Sequence, residues 1–272
     1  MKRLILVCAA LLLVCGTSYG WGRSAHAVVA AIAENHLTPK AKAHLDKYLG
    51  GKSIVYYASY ADDFKPALLM DLGFEPSNAK RKVTFPHTFE ANSDFSVSRG
   101  VRQGDKYVKN CVYLAEQYAN DLKANHRTMS DSLRVLSIAM IVHWLGDMHC
   151  PEHIRYIDDQ TIGNYKVTYR KKSVKYHALW DGILFGEVFP WSYSDCAKLI
   201  DSCSKGEIKA ICEGDLYDWG KEVAEQSYPV HAYREGAVIN ASEYRNKFAP
   251  LAELMVRNGG YRLAKIFNEV FK

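Results

Sequence analysis

Residues 130–151 read SDSLRVLSIAMIVHWLGDMHCP, and this stretch decides the fold. Ser130 is a favoured residue at a helix N-cap, and Pro151 disfavours helical backbone just before it. The sequence between them therefore predicts a helix from about Leu133 to Met148. Apolar residues occur nearly all round this helix, which is typical of a helix buried on every side. We expect it to be the central helix of the protein.

Amphipathic stretches on both sides of this segment predict further helices. Ser24 is expected to cap a helix that runs to His36, and Thr38-Pro39 is expected to begin another that ends at Gly50-Gly51. The same reading predicts helices over residues 105–123, 176–185, 194–203, 215–228, 242–257 and 261–271.

The strand signal, by contrast, is weak. Only residues 164–172 alternate in a way that predicts a short hairpin. The sequence contains no internal repeat and no glycine-rich phosphate loop of the kind that signals a nucleotide-binding α/β fold. It therefore predicts an all-α, multi-helix fold with at most a short β-hairpin.

The composition is that of a globular protein. The 272 residues include 48% hydrophobic and 24% charged residues, which excludes a disordered or collagen-like chain. The net charge of +5 is only a weak indication of anionic partners. No Ser/Gly/Pro-rich linker divides residues 21–272, so we expect a single domain there.

The segment from Met1 to Gly20 has the pattern of a cleavable export signal. Lys2 and Arg3 precede an apolar run from Leu4 to Val14, which is too short to span a bilayer, and small residues follow up to Gly20. Cleavage after Gly20 would make Trp21 the amino terminus of a secreted or periplasmic protein without a membrane anchor. A lipoprotein signal ending at Cys15 is the alternative, and the bulky Val14 before it counts against that reading.

Removal of residues 1–20 would leave five of the seven cysteines. An odd number at these spacings indicates no disulfide framework, even in an oxidising compartment. Cys196, Cys203 and Cys212 are close enough in sequence for one local disulfide. Buried free thiols are an equally good interpretation.

Polar side chains interrupt the apolar central helix at two positions. His143 and Asp147 are one helical turn apart and so share one helix face. A buried carboxylate must be paired or bound to a metal, and for one such pair a simple hydrogen bond is the better interpretation. His153 follows closely, however, and the same spacing recurs at His177 and Asp181. Because imidazole nitrogens and carboxylate oxygens are common zinc ligands, this repetition favours a metal site.

Four upstream residues could add ligands to this set. His26 lies on the first predicted helix, Asp62 and Asp63 follow Ala61, and His87 follows Pro86. Each one alone is an ordinary surface or helix residue.

Together, these residues give the chain a resemblance to a known family. It resembles the zinc-dependent single-strand-specific nucleases, which share their α-helical fold with the bacterial zinc phospholipases C. The resemblance runs in order through the whole of residues 21–272. It rests on Trp21-Gly22, His26, the segment ASYAD at 58–62, His87, HWLGDMHCPEH at 143–153, HALWD at 177–181 and GYRLAKIFN at 260–268.

The resemblance implies three zinc ions per chain. One ion would be held by Asp62, His87, His143 and Asp147, and a second by His153, His177 and Asp181. The third would be held by His26, Asp147 and the amino and carbonyl groups of Trp21. A free amine at Trp21 exists only after signal removal, so export and activation would be linked.

The same resemblance implies an enzyme that cleaves single-stranded DNA and RNA to 5′-phosphates and removes 3′-phosphates from mononucleotides. Asp62 and Lys65 would be catalytic, and Lys65 and Asn164 would contact the substrate; no stable protein partner is implied. The residues before Asn164 are Ile162-Gly163, whereas the family has two glycines, which weakens that substrate contact.

A second departure concerns base stacking. Thr88 stands where fungal relatives have an aromatic residue that stacks on a base, so stacking would fall to Tyr60, Phe64 or Tyr156.

Two other functions remain open. A zinc phospholipase C would have Glu in place of Asp181 and a longer spacing between Trp21 and the first histidine. A secreted zinc-binding protein without catalytic activity could retain the same ligands.

Overall fold

The computed structural model describes residues 21–63, 76–77, 82–83, 86–98, 101–103, 106–108, 110–159 and 165–272. The predicted export signal, Phe64, Lys65 and Asn164 lie outside these ranges. The described residues form a mostly α-helical fold, as the sequence predicts.

Helices account for most of the described chain. Their bounds are α1 (Arg23–Asn35), α2 (Pro39–Tyr48), α3 (Tyr60–Asp63), α4 (Cys111–Asn125), α5 (Asp131–Met148), α6 (Tyr176–Ala178), α7 (Leu184–Val188), α8 (Tyr193–Ile200), α9 (Lys205–Ile211), α10 (Leu216–Ser227) and α11 (Ala241–Val270). A π-helical turn, Leu179–Ile183, joins α6 to α7, and 3₁₀ turns cover Ile54–Tyr57, Pro151–His153 and Tyr228–Ala232.

The central position of α5 is confirmed. The Ser130 side chain caps it by accepting a hydrogen bond from the Leu133 N–H at 3.3 Å. Every residue from Leu136 to Met148 is buried, and α5 packs against α1, α4 and α11. A polar side chain between Leu136 and Met148 is therefore shielded from bulk water, which makes its partners informative.

The last helix corrects the sequence prediction of two helices separated at residues 258–260. Instead, α11 runs unbroken from Ala241 to Val270 and includes Pro250. A Cβ atom at Gly260 would lie 2.6 Å from Cβ of Ile32. The glycine therefore allows close packing of α11 on α1 and does not end the helix.

Three other helix predictions were wrong in their bounds. The helix expected over residues 105–123 begins only at Cys111, where Asn110 caps it, and residues 106–108 form a strand. Helix α1 begins at Arg23 with Gly22 as its N-cap, so Ser24 is not the cap. Helix α8 spans Tyr193–Ile200 and ends before the expected residue 203, while α9 was not predicted.

Short strands extend beyond the single hairpin that the sequence predicts. The hairpin pairs β7 (Lys166–Tyr169) with β8 (Lys172–Lys175), and Arg170 and Lys171 form its turn with positive φ. The other strands are β1 (Pro76–Ser77), β2 (Lys82–Val83), β3 (Phe89–Ala91), β4 (Val101–Gln103), β5 (Lys106–Val108), β6 (Ile154–Tyr156) and β9 (Val238–Ile239). Strand β3 pairs in parallel with β6, which brings residues 89–91 beside residues 154–156.

All five cysteines in the described part of the chain are free thiols, so the structure favours the alternative without a local disulfide. Among the described residues, no helix has the length and the apolar character that are needed to cross a membrane.

Candidate metal centre

The carboxylate of Asp147 lies at the middle of a buried cluster of histidines. Its Oδ2 is 3.1 Å from Nε2 of His143, one turn earlier on α5. Its Oδ1 is 3.2 Å from Nδ1 of His153 and 3.5 Å from Nε2 of His26. The side chains of all four residues have no solvent exposure.

The close approach of α1 to α5 places His26 in this cluster. A Cβ atom at Gly146 would lie 2.3 Å from Nδ1 of His26, so glycine is required there for the ring to fit. The rings of His26 and His143 stack with their centroids 4.4 Å apart. Helix α1 thus contributes one imidazole and α5 contributes another to the same space.

The second half of the cluster comes from the segment 176–188. Nε2 of His177 is 3.1 Å from Oδ2 of Asp181, and Nε2 of His153 is 3.5 Å from Oδ1 of Asp181. Asp181 lies in the π-helical turn Leu179–Ile183, a distortion that is frequent at functional sites. The rings of His153 and His177 stack at 5.1 Å.

The start of the predicted mature chain lies against this half. The Gly22 N–H donates a hydrogen bond to the carbonyl oxygen of Asp181, and a Cβ atom at Gly22 would be 2.6 Å from that oxygen. The Trp21 side chain is 2% exposed and packs on Phe185. Residues 21 and 22 therefore lie beside Asp181, and the ligand role of Trp21 together with His26 and Asp147 stays a prediction.

His87 and Asp62 complete the set, although their neighbours differ from those that the resemblance implies. Possible ligand atoms lie within 4.8 Å of one another in three groups: His87, His153 and His177; His26, Asp62 and His143; and Cys150, His153 and Asp181. The resemblance places His87 with Asp62 and His143, whereas the structure groups it with His153 and His177. How the ligands divide among the ions stays a prediction.

Three histidines of the cluster are oriented by backbone carbonyls. Nδ1–H of His143 donates to the Ala58 carbonyl at 2.9 Å, that of His153 to the Asp147 carbonyl at 3.1 Å and that of His177 to the Glu152 carbonyl at 3.2 Å. A carbonyl oxygen can only accept, so Nδ1 carries the proton in each ring. Each Nε2 therefore faces the cluster and is the ring atom that a metal ion would bind in place of a proton, as in metal-binding histidines.

Buried polar atoms without a hydrogen-bond partner concentrate here. Within the described ranges they include both ring nitrogens of His26, both carboxylate oxygens of Asp147, Nε2 of His153 and Oδ2 of Asp62. Such atoms are rare in folded proteins because each costs about 1–3 kcal/mol. Nitrogen and carboxylate donors that converge in this way fit a divalent metal ion such as zinc.

Burial and neighbouring charges shift the pKa values of these residues in different directions. Burial lowers the pKa of His26 to about 4 and raises the pKa of Asp62 to about 7. Burial also works against a charged His143, but the carboxylates of Asp147 and Asp62 raise the pKa of this ring to about 9. The charges of the histidines hold the pKa of Asp147 well below its usual range, despite its burial. Without metal, a proton on His143 therefore balances the carboxylate of Asp147, while the ring of His26 stays neutral.

Sequence reasoning missed two buried groups beside the cluster. Cys150 shares a ligand group with His153 and Asp181, and burial raises its pKa to about 12. Glu152 is completely buried, its carboxylate accepts no hydrogen bond from a described residue, and burial raises its pKa to about 8. The only sequence signal for Glu152 was its position between Pro151 and His153, directly after the apolar central helix.

The fold and the site define a mostly α-helical protein with a buried group of residues that could hold metal ions. A sequence profile described as S1/P1 Nuclease matches residues 21–272. The chain therefore belongs to the S1/P1 nuclease family.

Similar proteins come from fungi and plants. The chain is 25% identical over 290 residues to "Nuclease S1" of Aspergillus oryzae (strain ATCC 42149 / RIB 40), covering 97% of this chain and 96% of that protein. It is 21% identical to "Nuclease P1" of Penicillium citrinum, over 92% of this chain and 97% of that protein. It is 20% identical to "Endonuclease 4" of Arabidopsis thaliana, over 92% and 89% of the two chains.

Proposed function

We propose that this member of the S1/P1 nuclease family is a zinc-dependent endonuclease for single-stranded DNA and RNA. Its products would carry 5′-phosphates, and it would also remove 3′-phosphates from mononucleotides. The observation that carries the proposal is that Nε2 of His143 faces Asp147 and the Nε2 atoms of His153 and His177 face Asp181, while the Nδ1 atom of each of these rings is held by a backbone carbonyl. Family membership identifies the bond class as a phosphodiester.

The ligands proposed for zinc are the nine residues taken from the sequence: Trp21, His26, Asp62, His87, His143, Asp147, His153, His177 and Asp181. Three ions per chain would carry six positive charges against the three carboxylates among these ligands. When bound, zinc supplies an electrophile for phosphate oxygens and a hydroxide near neutral pH. This net positive charge suits a phosphodiester substrate.

The protein's own part is to hold these donors rigidly. The carbonyl of Ala58 fixes the ring of His143, and the carbonyl of Glu152 fixes the ring of His177. His153 joins the two halves, because its Nδ1 is 3.2 Å from Oδ1 of Asp147 and its Nε2 is 3.5 Å from Oδ1 of Asp181. Because the donors are oriented before substrate arrives, little reorganisation remains for the reaction itself.

We assign the remaining roles by the family resemblance. Asp62 and Lys65 would act in catalysis, and Lys65 with Asn164 would contact the phosphate and nucleotide. We also propose cleavage before Trp21 and export from the cytoplasm, which gives Trp21 the free amine needed for its ligand role.

The decisive experiment uses purified protein that begins at Trp21. It is incubated with single-stranded DNA, with 3′-AMP and with phosphatidylcholine, each with and without a chelator, and zinc per chain is measured by elemental analysis. We expect chelator-sensitive cleavage of DNA, phosphate release from 3′-AMP and about three zinc ions per chain. Lipid cleavage would establish a phospholipase, and bound zinc without any turnover would establish a non-catalytic zinc protein.

A second experiment tests the role of the amino terminus. One alanine is added before Trp21, and the control protein carries one alanine after Lys272. We expect the amino-terminal extension alone to lower zinc content by about one ion per chain. Equal zinc content in the two proteins would show that the Trp21 amine is not a ligand.

A further inference from the structure

Two short strands lead away from the metal centre side by side. Strand β3 begins shortly after His87, at Phe89, and β6 begins directly after His153. They pair in parallel, with Phe89 opposite Ile154 and Ala91 opposite Tyr156. Three extended residues span about 10 Å, so the end of this ribbon lies within reach of a nucleotide chain held at the metal centre.

Three aromatic rings meet at the end of the ribbon, and we call them the aromatic patch (Phe95, Tyr156 and Tyr228). The centroid of the Tyr228 ring is 5.5 Å from that of Phe95 and 5.2 Å from that of Tyr156, both in edge-on arrangements. Tyr156 is buried, and its hydroxyl donates to the Ala224 carbonyl at 2.6 Å. Tyr228 is 52% exposed. The two inner rings thus hold a half-exposed ring in a fixed orientation.

The backbone at Phe95 is strained to keep its ring in the patch. Its φ is +63°, a conformation that bulky residues seldom adopt and that often marks functional positions. The turn is held by the Phe95 N–H, which donates to the Asn92 carbonyl at 2.8 Å, and by the Asn92 N–H, which donates to the Ser96 carbonyl at 2.9 Å. Asparagine or glycine would fit this conformation with less strain, but neither would supply the ring that contacts Tyr156 and Tyr228.

We propose that Tyr228, supported by Phe95 and Tyr156, stacks on a base of the single-stranded substrate whose phosphate lies at the metal centre. This inference rests on the proposed nuclease function. The patch has the flat aromatic surface that unpaired bases require, and the ribbon joins it directly to His87 and His153.

This assignment changes the role of Tyr156 from that expected from the sequence. Its ring is 4% exposed and its hydroxyl is already bound, so Tyr156 cannot itself receive a base. It positions the Tyr228 ring. The half-exposed Tyr228, which comes from a distant part of the chain after α10, presents the surface.

The test compares Tyr228→Ala with Tyr228→Phe and with Tyr193→Ala, which removes an exposed aromatic ring from α8. Two substrates are used with the zinc-loaded protein: an oligothymidylate and bis(p-nitrophenyl) phosphate, a phosphodiester without bases. We expect Tyr228→Ala to raise KM for the oligothymidylate about five- to a hundredfold, the value of one lost base stack. Tyr228→Phe should keep most of the affinity because it keeps the ring.

The ratio of the kcat/KM values for the two substrates distinguishes loss of stacking from misfolding. A damaged metal centre lowers both values, whereas loss of stacking lowers only the value for the oligothymidylate. Binding of a phosphorothioate oligothymidylate, followed by fluorescence anisotropy, needs no cleavage and should weaken by the same factor. Equal binding by Tyr228→Ala and Tyr193→Ala would overturn the proposal that the aromatic patch stacks on a base. Absence of cleavage by the unsubstituted protein would instead overturn the nuclease function, and the anisotropy result would still decide on the patch.

Discussion

Two buried polar clusters lie at the end of α5, and they differ in whether their polar atoms have hydrogen-bond partners. Around Asp147 and His26, donor and acceptor atoms face one another without hydrogen bonds. Around His149, just beyond Asp147 in sequence, the ring nitrogens are satisfied: Nδ1–H donates to the Leu145 carbonyl, and Nε2 accepts from Arg262 at 3.1 Å. Arg262 also donates to the Ile211 carbonyl and to Glu222.

The comparison shows that burial and residue type do not identify a metal site. Burial and the neighbouring Arg262 lower the pKa of His149 to about 3, so this ring stays neutral as an acceptor. Its cluster is complete without a ligand. The cluster around Asp147 is incomplete, and unsatisfied atoms are therefore the property that separates a binding site from a structural network.

The largest effect is expected from Asp147→Asn, which removes the central carboxylate of the incomplete cluster. We expect kcat/KM on single-stranded DNA to fall at least about a thousandfold, since metal-ion catalysis contributes several kcal/mol. Zinc content should fall as well, while far-UV circular dichroism stays unchanged. Asp201→Asn is the matched control, because Asp201 pairs with His36 at 2.8 Å outside the cluster. Full activity of Asp147→Asn would show that the cluster around Asp147 is not a metal site and is structural, like the cluster around His149.

Arg262→Met should lower the stability of the protein and leave its zinc content and its activity unchanged. It leaves the Ile211 carbonyl and Nε2 of His149 without a buried donor, which costs about 1–3 kcal/mol for each group. We expect unfolding in urea at a lower concentration, with zinc content per folded chain and KM unchanged. A loss of zinc without a loss of stability would show that the two clusters act as one.

Two glycines allow a matched steric test of the clusters. A Cβ atom at Gly146 would clash with His26 at 2.3 Å, and one at Gly259 would press on His149 at 3.2 Å. Gly146→Ala should displace His26 and lower zinc affinity or activity about 10- to 100-fold, as disturbed ligand orientation does. Gly259→Ala should leave activity intact and change the free energy of unfolding by no more than about 1–3 kcal/mol. Equal activity losses in the two variants would contradict the comparison.

The smallest effect concerns acid stability at Asp201, a satisfied but partly exposed carboxylate. Although burial opposes it, hydrogen bonds from His36, Asn35 and Tyr261 lower the pKa of Asp201. The folded state therefore binds this proton less tightly than the unfolded state, and the resulting stability is lost as the pH falls through the folded pKa. Between pH 7 and pH 3 the native protein should lose about 1 kcal/mol more than Asp201→Asn, as measured by urea unfolding. An identical loss would mean that these hydrogen bonds do not stabilise the ionised form.

The central helix and the residues gathered around it could be predicted from sequence. The apolar pattern before Met148 has no alternative explanation, and the spacing of His143 and Asp147 defines a shared helix face. Gly260 could not be interpreted in the same way, because a glycine that ends a helix and one that allows a close contact look alike in sequence. Only the position of Ile32 distinguishes them.

The roles of Tyr228 and Glu152 were not predicted because they depend on contacts between distant parts of the chain. Tyr228 contacts Phe95 and Tyr156, which lie about 70 or more residues earlier in the chain, and no local sequence pattern predicts such a contact. Glu152 was passed over because it does not fit the spacing of a ligand. Its burial became evident only with the fold.

The parallel pairing of β3 with β6 also determines when the metal centre can form during folding. It joins segments that are far apart in sequence, such as Phe89 and Ile154, and contacts at this separation carry a large entropic cost of loop closure. The metal ligands from His26 to Asp181 therefore converge late, after the helices have packed. A metal ion that bound only this late structure would slow unfolding and leave the folding rate almost unchanged.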